Sequence, residues 1–236
     1  MQQLSRPKAI FYHLYPGILI TLGFIFLGPA AIRFGFPAQF GMLISILVVA
    51  LPLLLLHLKR ASEKEGKNHI RELNGLAQKL PATKLILYSI GLVVLAFLIW
   101  GATQPLNQLI TARLFPWLPS WFTVQDFAGI QKKEIEITLI LNLVLNGFLA
   151  PLVEEFYFRA YLLPRMASFG KSAVLMNTVL FSFYHFWQPY IYLTLILSLL
   201  PMVWLVWKTK DIRLAILTHC LLNITGAILS FGLAMK

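Results

Sequence analysis

Residues 136–158 read EITLILNLVLNGFLAPLVEEFYF, and the fold is decided by how that stretch is explained. It is long enough to cross a bilayer, which takes about 20 residues of helix. It is apolar almost throughout, yet Glu154 and Glu155 sit side by side near its end, followed by Arg159. Hydrocarbon on this scale needs lipid around it, and charge inside lipid needs a reason.

The rest of the chain agrees with the lipid reading. Of 236 residues, 58% are hydrophobic and 12% charged, against roughly 45–50% and about 25% in soluble domains. A soluble core of this size leaves too little polar surface to cover so much apolar material. Seven stretches are long enough to span, near 10–32, 39–58, 85–103, 136–158, 172–188, 190–207 and 214–233. The expectation is an all-α, polytopic transmembrane helix bundle of about seven spans, or eight, with an interfacial segment after the third. The fifth and sixth are parted only by Gln188-Pro189, so the fourth is expected to continue to about Leu163 and the fifth to run past Pro189.

A net charge of +11 would suggest nucleic acid in a soluble chain. Here it reads as loop charge that orients the spans, and no nucleic-acid partner is expected. Fifteen Lys and Arg fall on one side: Arg6, Lys8, the seven from Lys59 to Lys84, Arg159, Arg165, Lys171, Lys208, Lys210 and Arg213. Five fall on the other, namely Arg33, Arg113, Lys132, Lys133 and Lys236. With Arg159 set aside as intramembrane, the balance is still 14 to 5. The excess predicts a multi-pass protein of the plasma (inner) membrane with a cytoplasmic N-terminus and a cavity that leans toward the cytoplasm. The first run lacks a small-residue cleavage site and is expected to be retained as a span.

Two segments interrupt the spans. Lys59–Lys84 holds seven basic and three acidic residues and suggests a solvated helical hairpin or linker. Residues 104–133 contain Pro116-Trp117-Leu118-Pro119-Ser120-Trp121-Phe122, whose indoles suit the membrane–water boundary. The organisation is therefore an N-terminal three-span region, 1–135, and a four-span region, 136–236.

Chemistry should sit on the polar residues at membrane depth, where an ionisable group costs at least about 2.5 kcal/mol. Glu155 and Arg159 are four apart with the acid first, the favoured order for an ion pair on one helix face. Glu154 is turned by about 100° from Glu155, which leaves it available as a general base. The plain alternative is a structural Glu–Arg clip. Pro151 removes one helical hydrogen bond just before the pair and predicts a kink. His185 follows Phe181 by one turn, and His219 precedes Asn223 by one turn, on two further spans. His13, His57 and His69 are assigned no chemistry. Cys220, the only cysteine, reads as a packing residue, because adjacent His219 lies on another face. Ser182 and Thr218 lack the context of a serine nucleophile.

The ordered set Glu154-Glu155-x-x-x-Arg159, Phe181-x-x-x-His185 and His219-x-x-x-Asn223 resembles the CPBP intramembrane protease family, which includes the CAAX prenyl endopeptidases and bacteriocin-processing, Abi-like proteins. The resemblance covers about residues 136–233. It implies a glutamate-type intramembrane endopeptidase acting on a membrane-associated peptide or protein, prenylated or a leader peptide. Glu154 with His185 would activate water, His219 and Asn223 would donate to the oxyanion, and Glu155 and Arg159 would support the active-site helix. No cofactor is favoured. Glu154, His185 and His219 also make a His₂Glu set of the kind that holds catalytic zinc, although no His-Glu-x-x-His is present. Rival readings are a non-catalytic partner-binding or immunity protein of the same fold and, less favoured, a proton-coupled transporter.

Overall fold

In the computed structural model the described residues are 2–122, 127 and 129–234. They form a bundle of helices and, among the described residues, no strand longer than one bridged pair. Six helices are long and apolar enough to cross a membrane, joined by a shorter apolar one. In chain order they are α1 (Arg6–Arg33), α2 (Ala38–Lys64), α3 (Ala82–Leu114), α4 (Lys132–Phe169), α5 (Ser172–Tyr184), α6 (Tyr192–Thr209) and α7 (Ile212–Ala234).

The short helix differs from expectation. The fifth span does not continue past Pro189 but stops at Tyr184, after 13 residues. Pro189 pushes Gln188 out of the helical region, to φ −138°, because a proline ring clashes with helical backbone before it. A helix of 13 residues is about 20 Å long, so α5 ends at membrane depth and leaves His185 on its C-terminal turn. The fourth helix, as expected, runs on past Leu163.

The long helices change pitch ahead of their prolines. Wide π turns occupy Ile46–Ala50 before Pro52, Leu145–Leu149 before Pro151, and Phe156–Leu162 before Pro164. A proline lacks an N–H and crowds the carbonyl four residues back, and a wider turn relieves both. The helix remains continuous through Pro151, and its second π turn starts directly after Glu155.

Close packing uses glycine. A Cβ on Gly17 would collide with the carbonyl of Tyr184, and one on Gly41 with that of Leu27, so α1 meets α5 and α2 backbone to backbone. Small residues allow this approach where lipid supplies no hydrophobic drive between helices. Tyr157, Phe158, Phe181 and Tyr184 fill the centre. Helix α3 is mostly turned outward, with Leu87 and Leu98 exposed. It is tied to α6 by hydroxyls, Thr194 lying 2.7 Å from Thr103 and 2.9 Å from Asn107.

The basic loop is not a helical hairpin. Helix α2 continues to Lys64, and residues 65–81 form a strap across one end of the bundle. Arg165, almost wholly buried, holds the strap through Glu65 Oε1 (2.7 Å) and the Leu73 carbonyl (3.2 Å). Leu73 and Leu76 insert into the core. Farther along, Gly75 N–H donates to Ala160, Gln78 N–H to Lys210, and Arg213 to both Asp211 and the Leu80 carbonyl. The N-terminal segment joins the same end, with Leu4 N–H donating to the Arg165 carbonyl.

The interfacial segment is shorter than its expected 104–133, because α3 passes through Pro105 and reaches Leu114. Trp121 and Phe122 pack on Phe24 of α1, while Trp117 is exposed. Residues 123–126 and 128 of that segment, and Lys236 from the charge count, lie outside the described residues.

Candidate active site

The acidic pair divides as two neighbours on a helix must, one toward packing and one toward space. Glu155 is fully buried, and its Oε1 lies 3.3 Å from Arg159 Nη1. The guanidinium stacks 3.8 Å over the Phe181 ring, an attraction that strengthens away from water. The same Oε1 accepts a hydrogen bond from His219 Nδ1 at 2.8 Å. A carboxylate only accepts, so this contact assigns the Nδ1 proton to His219 and turns its Nε2 outward.

Glu154 borders a cavity of about 830 Å³. Its Oε1 accepts from the Tyr184 hydroxyl at 2.9 Å. His185 donates from Nδ1 to the Phe181 carbonyl at 2.9 Å, which leaves Nε2 with a lone pair. Its ring is boxed by Tyr184 and Trp187. Asn223 donates to the Asn146 carbonyl at 2.8 Å and reaches Asn146 Oδ1 at 3.3 Å. Glu154, His219 and Asn223, from two helices, and His185, from the end of a third, all line the cavity. Glu155 and Arg159 lie behind it. The cavity runs from Glu154 toward Gln39, on the first turn of α2. That end is opposite the strap and the N-terminus, so the cavity extends away from the basic end rather than toward it.

Tyr184, Trp187, Asn142, Asn146 and Gln39 join the site without having stood out in the sequence. Tyr184 neighbours His185, and the two share a site only because the helix ends between them. Asn142 and Asn146 carried a signal, as carboxamides one turn apart in an apolar span. His13 is fully buried, its Nε2 2.9 Å from Asn177 Nδ2, which also donates to the Phe158 carbonyl. His57 lies among Tyr12, Tyr15, Tyr157 and Tyr161, with Tyr15 Oη 2.8 Å from its Nδ1. His69 is in the strap, its backbone N–H bonded to Glu72. Cys220 is buried, and Ser182 spends its proton on the Thr178 carbonyl.

The side chains fit a resident metal poorly. Among the described residues no group of three or more His, Cys, Asp and Glu is gathered to hold an ion. Each candidate histidine keeps Nε2 free, its other ring nitrogen being held by Glu155 or Phe181 as a metal ligand's would be, so the misfit lies in how the groups are spaced.

Residues 136–225 match the family described as type II CAAX prenyl endopeptidase Rce1-like. That stretch is similar to the family. The match takes in most of α4, all of α5 and α6, and α7 through Thr225, and it is consistent with the CPBP intramembrane proteases. The Rce1-like region thus holds every cavity-lining residue of the motif, while α1, α2 and α3 fall outside the match. No curated protein and no solved structure matches the chain.

Proposed function

We propose that the protein is an intramembrane endopeptidase that hydrolyses a peptide bond of a membrane-associated protein or peptide, prenylated or a leader peptide, with Glu154 as the base. The observation that carries this reading is the shared cavity. Glu154, His185, His219 and Asn223 face one space, while Glu155 is neutralised by Arg159 behind it.

Glu154 takes a proton from a water whose second hydrogen is accepted by His185 Nε2. The water oxygen bonds to the scissile carbonyl carbon, and the carbonyl π pair moves onto oxygen. Asn223 gives its amide nitrogen to the Asn146 carbonyl and, at a longer 3.3 Å, to Asn146 Oδ1; exchanging that longer contact for the oxyanion frees one N–H, and His219 presents Nε2, so both can face it. His219 donates there as an imidazolium, with Nδ1–H on Glu155. Two carboxylates, one guanidinium and one imidazolium then sum to zero charge, which suits a site shut away from water. When the tetrahedral carbon collapses, the C–N bond breaks and the proton on Glu154 passes to the leaving amine. No step is drawn through zinc. Stoichiometric zinc required for activity in purified protein would overturn the glutamate-only scheme.

The strap end, where the basic residues collect, is assigned to the cytoplasm by the positive-inside tendency.

Glu154→Gln keeps volume and hydrogen bonding and removes the base. It is expected to insert normally and lose about 10²–10⁴-fold in hydrolysis. Peptide termini in membranes with wild type and variant, compared by mass spectrometry, test this. Products that vanish in the variant support the protease and identify its substrate, whereas a cellular phenotype that persists with Glu154→Gln supports the partner-binding alternative.

A further inference from the structure

Asn142, Asn146, Ala150 and Glu154 recur every four residues along α4. That spacing makes one stripe, and Asn142, Asn146 and Glu154 all line the cavity. Asn223 of α7 leans on Asn146 from the facing wall. At the far end Gln39 of α2 donates to Asn142 Oδ1 across a long 3.4 Å contact. Gln39 is 9% exposed, and its Oε1 has no hydrogen-bond partner among the described residues. Charge is missing from this stripe beyond Glu154, so it does not recognise ions. Carboxamides carry a donor and an acceptor on one flat group, the same pair that a peptide unit offers.

An extended peptide in a bilayer exposes N–H and C=O groups that lipid cannot satisfy, at a cost of several kcal/mol each. A protease cavity at this depth therefore has to supply partners for the main chain on either side of the bond it cuts. We infer that Gln39, Asn142 and Asn146 form a ladder that binds the backbone of an extended, uncharged substrate segment leading away from the scissile bond, toward the end opposite the strap. Twelve helical residues from Asn142 to Glu154 cover about 18 Å, which is the reach of about five residues of extended chain. Phe97, Trp100 and Leu199 face the same space and take the segment's apolar side chains. The ladder rests on the protease reading but makes a separate claim, that the contacts are to main chain.

The test uses fluorophore-labelled apolar heptapeptides and the same peptides N-methylated at two backbone amides. Binding is measured on detergent-solubilised Glu154→Gln protein, so that nothing is cut. N-methylation is expected to weaken binding about tenfold, as two lost hydrogen bonds would. Gln39→Met and Asn142→Leu, placed in the same background, are expected to weaken the parent peptides similarly and to erase much of the methylation effect. The methylated peptides probe unaltered protein, so the test survives if either variant fails to fold. Equal binding of methylated and parent peptides overturns the ladder, as does no binding of any. Peptides cut by wild type without regard to methylation leave the protease standing and sink the ladder. Methylation-sensitive binding of peptides that wild type never cuts does the reverse.

Discussion

At the scale of single residues, the site is a matter of which polar atoms are already committed. Tyr184 donates to Glu154 Oε1 and so holds the carboxylate in one orientation within the cavity. Tyr184→Phe removes that hydrogen bond and little volume, and is expected to lower kcat about tenfold with KM unchanged. A change confined to KM would assign the hydroxyl to substrate instead. Arg159 is a different case, since both it and Glu155 are wholly buried. Arg159→Met strands a carboxylate and is expected to cost about 3–5 kcal/mol, read as thermal unfolding in detergent. Adding Glu155→Gln should recover much of the loss, because it removes the stranded charge. No recovery would mean that Arg159 stabilises chiefly through its stacking on Phe181. The Glu155–Arg159 contact follows from i,i+4 spacing, a property of any helix, and is legible in a bare string of letters. Tyr184 on Glu154 is not, because it depends on where a helix stops.

At the scale of elements, sequence patterns expose lengths better than ends. Apolar runs mark all seven helices, and the run near 172–188 looks like its neighbours. Its helix is shorter because Gln188-Pro189 terminates it early, and that early end sets Tyr184 and His185 at the cavity. Proline at 151 predicts a kink, and the helix runs on through it with a wide π turn just before it, a detail of pitch that the letters do not show. The meeting of α1 and α5 is also hidden in the sequence, because one glycine among 14 looks like any other. Gly17 is the point where α1 touches the Tyr184 backbone. Gly17→Ala forces the two apart and is expected to destabilise by about 1–3 kcal/mol, as overpacking does, and to lower hydrolysis by shifting Tyr184 and His185. Gly91→Ala on α3, where the added methyl meets open space, should leave the unfolding temperature and hydrolysis unchanged. Equal loss in both would point to a general intolerance of alanine rather than to the α1–α5 contact.

At the scale of the whole molecule, the strap converts a basic loop into part of the fold. Composition made residues 59–84 look solvated, because seven cations in one segment outweigh Leu73 and Leu76 in any average. Two acids reverse that reading. Burial pushes Glu65 up, but hydrogen bonds from Lys67 and Arg165 and the nearby positive charge hold its carboxyl below the usual range. Asp211 likewise feels burial upward, and Arg213 with the Leu80 N–H takes it lower than an ordinary aspartate. Both groups are thus more acidic in the docked strap than in a free one. Their contribution is complete above the ordinary carboxylate values and is lost as pH falls through the depressed ones. Hydrogen exchange, corrected for intrinsic rates, should find the Gly75, Gln78 and Leu80 amides protected at pH 7 and losing protection below about pH 4. The amides of α4 should remain protected over the same range, because lipid and packing rather than carboxylates hold them. Glu65→Gln and Asp211→Asn together should release the strap at pH 7 and flatten the dependence. Protection that persists unchanged to pH 3 would assign the docking to Leu73 and Leu76 alone, and the acids would then be accessories to a hydrophobic contact.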